Sequence, residues 1–183
     1  MESKAWQGFN KGTEQLSEAA QFDQFYQRTH LSVYRYIMAL NGGVANDAED
    51  VTAEAYLRAW RTRHQFSGNE NDATGWIITI ARRIQVDRVR YNQVRADEVD
   101  LDEIIASEEA QVEDLLLSQE QMAFVLEALQ RLPDNQREMV VLRYVLDWPI
   151  SQIARHLDMT ENNVSVSLRR GLQRVRDWIT PRI

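Results

Sequence analysis

The segment that most limits how this chain can fold is Ala96 to Gln121, ADEVDLDEIIASEEAQVEDLLLSQEQ, which holds ten carboxylates and neither Lys nor Arg. So many like charges repel one another and hold water, so the segment cannot run through a hydrophobic core. Apolar residues at helical spacing stand on both sides of it. The chain is therefore expected to be all-α, with two small helical domains joined by an acidic linker. The expected division is a tail (1–19), a first lobe (20–95), the linker (96–121) and a second lobe (122–183). Lobes of roughly 60 to 75 residues bury only about 60% of their unfolded surface, so docking on a partner would help each of them.

The charge follows the same division. The formal net charge of -7 breaks down into +1 for residues 1–95, -10 for 96–121 and +2 for 122–183. Basic residues crowd the lobe ends, with Arg82, Arg83, Arg88, Arg90 and Arg95 in one cluster and Arg169, Arg170, Arg174 and Arg176 in the other. Each cluster is a candidate phosphate-binding stripe.

In the first lobe, Phe22, Phe25, Tyr26, Leu31, Val33, Tyr34, Ile37, Met38 and Leu40 line one helix that stops at Asn41-Gly42-Gly43. A second helix, capped by Asn46 or Asp47, carries Val51, Ala55, Leu57 and Trp60. The polar stretch from Phe66 to Thr74 reads as a loop. A third helix follows from about Gly75 to Tyr91, with Trp76, Ile77, Ile80, Ile84 and Val89 apolar. Beyond the linker, Ser118 and Gln121 have capping-box spacing before a helix with Met122, Val125, Leu126, Leu129 and Leu132 apolar. Asp134 can cap the next helix, whose inner face is Met139, Val140, Leu142 and Val145.

Ile153, Ala154, Leu157, Met159, Val164 and Leu168 have the spacing of a helix-turn-helix, in which a small residue lets two helices cross closely. The second helix of such a pair enters the major groove by its first turns. Thr160, Glu161, Asn162, Asn163, Ser165, Val166 and Arg169 are then the outward residues. Their chemistry suits base edges: Asn pairs with adenine, Arg with guanine, Glu accepts from cytosine and Val touches a thymine methyl. Arg170, Arg174 and Arg176 lie further along, where they would hold phosphates.

Four blocks in order, DAEDVTAEAYLRAW from Asp47, GWIITIARRIQVDRVR up to Arg90, LPDNQREMVVLRYV from Leu132 and then the helix-turn-helix, resemble the extracytoplasmic-function sigma factors of bacterial RNA polymerase. The resemblance covers roughly residues 20–95 and 122–178. It implies a subunit that directs core RNA polymerase to promoter DNA, with Asp47, Asp50, Glu54, Leu57, Trp60 and Arg61 as the polymerase-docking face. Phe66, Asn69, Asn71 and Trp76 would wall and contact a melted base of the minus-ten element, with Arg82, Arg83 and Arg90 on the strand's phosphates. The minus-thirty-five duplex would fall to Thr160, Glu161, Asn162, Asn163, Ser165, Val166, Arg169, Arg170 and Arg174. An anti-sigma factor is a further implied partner, and the acidic linker is expected either to span the lobes or also to occupy a polymerase channel, with Ile104, Ile105, Val112 and Leu115 to Leu117 as anchors. Asp147, Pro149 and Asp158 depart from the residues common in the family, as do Ser165 and Ser167. Asp tolerates the left-handed backbone and Pro fits a helix start, so the fold expectation stands.

The chain has no Cys, its histidines are His30, His64 and His156, far apart, and it has no glycine-rich phosphate loop. A metal, a cofactor and catalysis are accordingly not expected, and His156 reads as a surface or boundary residue. The first twenty residues lack the pattern of a signal peptide and no run approaches a membrane span, so a cytoplasmic protein is expected. An autonomous helix-turn-helix regulator and a helical adaptor are the competing readings.

Overall fold

The computed structural model describes residues 16–96 and 113–179. The helices are α1 (Ala19–Leu40), α2 (Ala45–Thr62), α3 (Glu70–Ala96), α4 (Glu113–Gln130), α5 (Asp134–Tyr144), α6 (Ile150–His156) and α7 (Glu161–Ile179), with a short 3-10 turn over Arg63–Gln65. The first three pack as one lobe around Phe25, Val33, Ile37, Val51, Ala55, Ile77, Ile78 and Ile84. In the second lobe α4, α5 and α6 pack around α7, burying Leu132, Met139, Leu142, Ile153, Val164 and Leu168. The tail up to residue 15 and the linker anchors expected at Ile104, Ile105 and Val112 lie outside the described residues.

Local chemistry sets the breaks. Helix α1 ends where Gly42 and Gly43 take positive φ (79° and 95°), and Asn41 Oδ1 accepts from the backbone N–H of both Gly43 and Val44. A side chain at Gly43 would also meet Leu126 Cδ1 at 2.7 Å, because α4 crosses there. Asp147 and Asp158 both adopt φ 53°, which ends α5 and α6 without a glycine.

Several boundaries differ from expectation. Helix α3 begins at Glu70, so half of the expected loop is helical. Asn69 Oδ1 accepts from Asp72 N, and Asp72 Oδ2 accepts from Asn69 N, a reciprocal cap that starts the helix early. Helix α4 begins at Glu113, which makes the end of the acidic segment helical and places Ser118 inside the helix. The N-cap positions of α2 and α5 are Val44 and Pro133, so Asn46, Asp47 and Asp134 sit in first turns, where their polarity still suits the helix dipole. Tyr26, Leu31, Val89, Met122, Val125 and Val145 were expected inward and are exposed. Lobes this small cover only a narrow stripe of each helix.

The lobes touch through α1, which meets both α4 and α5. Gln130 Nε2 donates to the carbonyls of Ala39 and Leu40 (3.2 Å each), tying the end of α4 to the end of α1. Arg137 donates to the carbonyls of Leu129, Gln130 and Leu132 (3.0, 3.0 and 3.1 Å) and so closes the free end of α4.

Candidate functional site

Three surfaces collect the residues singled out above. The first is the outer face of α2. Val51, Ala55 and Ala59 are buried against the lobe, whereas Leu57 is 58% exposed between charged neighbours. Asp50 is held by Arg88 of α3 at 3.0 Å, and Glu54 pairs with Arg58 one turn on. Arg61 is exposed and Asp47 half-buried. Trp60 is half-buried; its ring meets Phe22 edge-on (centroids 5.1 Å apart) and the Arg63 guanidinium lies 3.5 Å over its centre. Trp60 therefore leans on the core, and Leu57 is the apolar group that this face offers to a partner.

The second surface is the turn before α3. Phe66 and Trp76 pair with ring centroids 5.1 Å apart and stay half-buried. Gly68 lies between them and the cap: a Cβ there would meet Asp72 Cβ at 2.8 Å and the Phe66 ring at 3.0 Å, so the backbone must pass close. Asn69 is half-buried and already engaged in the α3 cap, so its side chain has fewer donors and acceptors left for a base. Asn71 lies in the first turn of α3. Further along, Arg83 and Arg90 are exposed, two turns apart and on one face. Arg82 points elsewhere, to the carboxylate of Glu138 in the second lobe at 2.5 Å. Burial penalises its charge, but Glu138 more than offsets this and holds the guanidinium protonated.

The third surface is the helix-turn-helix. Ile153 and Ala154 of α6 are buried with Val164 and Leu168 of α7, and Met159 N donates back to Ala154 O at 2.8 Å across the left-handed Asp158. Thr160 caps α7 by accepting from Asn163 N. Thr160, Glu161, Asn162, Asn163, Ser165, Arg169 and Arg170 are exposed, and Val166 is half-buried. The Ser165 hydroxyl donates to Glu161 O at 2.8 Å, leaving its lone pairs outward. Arg174 is exposed and donates to Gln136 Oε1 at 2.8 Å, which steers it along α5. Pro149 stands immediately before α6, and Arg143 Nη1 bonds Trp148 O beneath it.

His156 occupies the boundary place expected, but its ring is deeper than its polarity suggests. It meets Trp148 edge-on at 5.0 Å, and among the described residues its Nδ1 has no hydrogen-bond partner. Burial, and then the nearby Arg82 charge, push its pKa down to about 4.

Gly68, Gln130, Arg137, Glu138 and Tyr36 position these surfaces without having been singled out in the sequence. Gly68, two residues after Phe66, carried a usable signal. The other four act through partners on other helices, which local spacing does not reveal. Among the described residues no cluster of ligating side chains could hold a metal, and no helix is long and apolar enough to cross a membrane.

Residues 25–95 match the family Sigma-70 region 2, and residues 124–175 match Sigma-70, region 4. The ECF RNA polymerase sigma factor BldN of Streptomyces coelicolor is 32% identical over 160 residues, covering 87% of this chain, which spans 60% of that protein. The ECF sigma factor SigK of Mycobacterium tuberculosis is 30% identical over 168 residues, covering 88% of this chain and 87% of that protein. Two solved structures share the fold. The sigma factor RpoE of Bartonella quintana, in complex with the anti-sigma factor NepR, has a TM-score of 0.68 at 17% identity, covering 88% of this chain and 98% of that one. CnrH, in complex with the cytosolic domain of CnrY, has a TM-score of 0.64 at 14% identity, covering 90% of each chain. With both sigma regions matched in order and SigK matched over nearly its whole length, this chain belongs to the ECF sigma factors of RNA polymerase.

Proposed function

We propose that this protein directs core RNA polymerase to particular promoters in the cytoplasm, acting by binding rather than by catalysis. The observation that carries the reading is the helix-turn-helix surface: α7 is locked by Val164 and Leu168 and turns an uninterrupted polar start, Thr160 to Asn163, towards solvent ahead of Arg169 and Arg170. That surface suits the major groove of the minus-thirty-five duplex. On the first lobe, Phe66 and Trp76 form the wall against which an unstacked base can rest, and Arg83 and Arg90 follow the strand. Leu57, with Asp50, Glu54 and Arg61 around it, is the docking point for the polymerase. Family membership favours this over an autonomous regulator.

Each lobe carries little net positive charge, so neither can hold DNA firmly alone; tethering both to the polymerase supplies the missing effective concentration. A sigma factor of the same fold was solved in complex with an anti-sigma factor, and a protein covering Leu57 or the α7 surface would silence this one. The test is binding of a promoter duplex, followed by fluorescence anisotropy at physiological salt, with and without core polymerase. Tight binding requires the polymerase; tight binding by the isolated protein would overturn the proposal.

A further inference from the structure

We propose that Arg82, Glu138 and Tyr36 form a charge latch between the lobes, and that a nucleic-acid phosphate opens it by drawing Arg82 away from Glu138. The inference rests on the promoter reading above, and it adds a means by which engaging the strand separates the two DNA-reading lobes.

Glu138, on α5 of the second lobe, is 4% exposed. Its Oε1 accepts from the hydroxyl of Tyr36 (3.1 Å), a fully buried residue of α1, and from Arg82 Nε (2.5 Å) on α3. Three helices from two lobes thus meet at one carboxylate. Tyr36 is fixed in the core of the first lobe, but the Arg82 side chain is 45% exposed and can swing into water. Arg82 is the mobile member and, among the described residues, the only cation in contact with Glu138. His156 also senses Arg82, but burial keeps its ring neutral, so it supplies no replacement charge.

Arg82 meets Glu138 through Nε on the side of α3 turned to the second lobe, so reaching a strand held by Arg83 and Arg90 draws the guanidinium off the carboxylate. A phosphate is a strong competitor, because it accepts charge-assisted hydrogen bonds and belongs to a strand that the exposed Arg83 and Arg90 of the same helix would also hold. When Arg82 leaves, the carboxylate remains buried with a single hydroxyl donor. Stranding one partner of a buried ion pair shifts an equilibrium on the order of a hundredfold or more, and here the relief is undocking, which returns Glu138 to water. The coupling is reciprocal: whatever separates the lobes, polymerase included, frees Arg82 for the strand.

The absence of Cys allows spin labels at Gln24→Cys and Ser151→Cys, one on each lobe, with their distance read by double electron-electron resonance in the full-length chain. Arg82→Gln strands the carboxylate and should replace the short distance by a longer, broader distribution. Adding Glu138→Gln removes the stranded charge and should restore the short distance. An unchanged distribution in Arg82→Gln, or a double variant as open as the single one, overturns the latch. Glu138→Gln alone should stay closed and bind a minus-ten single-stranded oligonucleotide about tenfold more tightly, by one hydrogen-bonded charge released from competition; equal binding to wild type also overturns it. Oligonucleotide added to the wild-type chain should lengthen the distance, and binding without lengthening contradicts the proposed trigger. If the variants open and reclose as expected but no oligonucleotide binds any of them even with core polymerase present, the latch stands and the promoter reading falls.

Discussion

Lowering the pH from 7.5 to 5 should weaken the second lobe through a single ring. His156 is neutral in the folded protein because burial, and then Arg82, hold its pKa at about 4, against the ordinary 6.5 it regains on unfolding. The folded value is the lower one, so the unfolded chain binds the proton more readily. Stability is therefore complete above pH 6.5 and declines as the pH falls towards 4. The two values give a loss of about 2 kcal/mol at pH 5, rising to about 3 kcal/mol below pH 4. Urea unfolding followed by circular dichroism at half-unit pH steps measures it, with His156→Leu as the reference. The carboxylates and the other two histidines are common to both proteins and cancel in the difference. Wild type should lose about 2 kcal/mol more than the variant between pH 7.5 and 5. Parallel curves would refute the reasoning, because they would mean that the ring gains its proton in the folded state without penalty. Leu in place of His156 should also be tolerated at neutral pH, since among the described residues the Nδ1 it removes has no hydrogen-bond partner.

Leu57→Arg should change stability by no more than about 0.5 kcal/mol, because the side chain is already in water, yet weaken binding to core polymerase by roughly 2 kcal/mol; pull-down titration beside a thermal melt separates the two. Arg137→Met leaves three carbonyls at the end of α4 without their donor and should cost about 2–3 kcal/mol in urea unfolding, with α4 losing amide-exchange protection first. Asn162→Ala should leave stability intact and relax discrimination at one base pair of the upstream duplex by about 1–3 kcal/mol, as read by competition with single-base variants. Arg170→Ala should lower the salt dependence of holoenzyme binding by about one unit of slope, as loss of one phosphate contact requires.

Features that depend on neighbours along the chain were readable in advance. Asn41-Gly42-Gly43 stops α1 because the chain there needs positive φ, and Ile153, Ala154, Val164 and Leu168 spell out the helix-turn-helix because their spacing makes one packed angle. Features that depend on distant partners were not. Glu138 ends the polar stretch Asp134 to Glu138, just before an apolar run, and gives no hint that Tyr36, 102 positions earlier, and Arg82 converge on it. Arg82 looks like any other member of its basic cluster, and only the closed arrangement of the lobes distinguishes it from Arg83. The start of α3 was hidden for a different reason: Asn69 and Asp72 belong to the residue types of loops, and the same side chains that make turns also cap helices. Leu57 and Trp60 show the reverse problem, since spacing puts both at the edge of the apolar stripe. The cover supplied by Arg63 and Phe22 draws Trp60 towards the core, while among the described residues nothing comparable covers Leu57.

The central claim is that this chain gives core polymerase its choice of promoter. Run-off transcription with core enzyme and the full-length protein on a pool of random upstream sequences, followed by sequencing of the transcribed templates, tests it most directly. Two short elements, one upstream and one melted, should emerge at fixed spacing, only when the protein is present, and transcription at limiting protein should fall steeply with Leu57→Arg. Transcripts without any selected sequence, or a selected palindrome bound by the protein in the absence of polymerase, would contradict it.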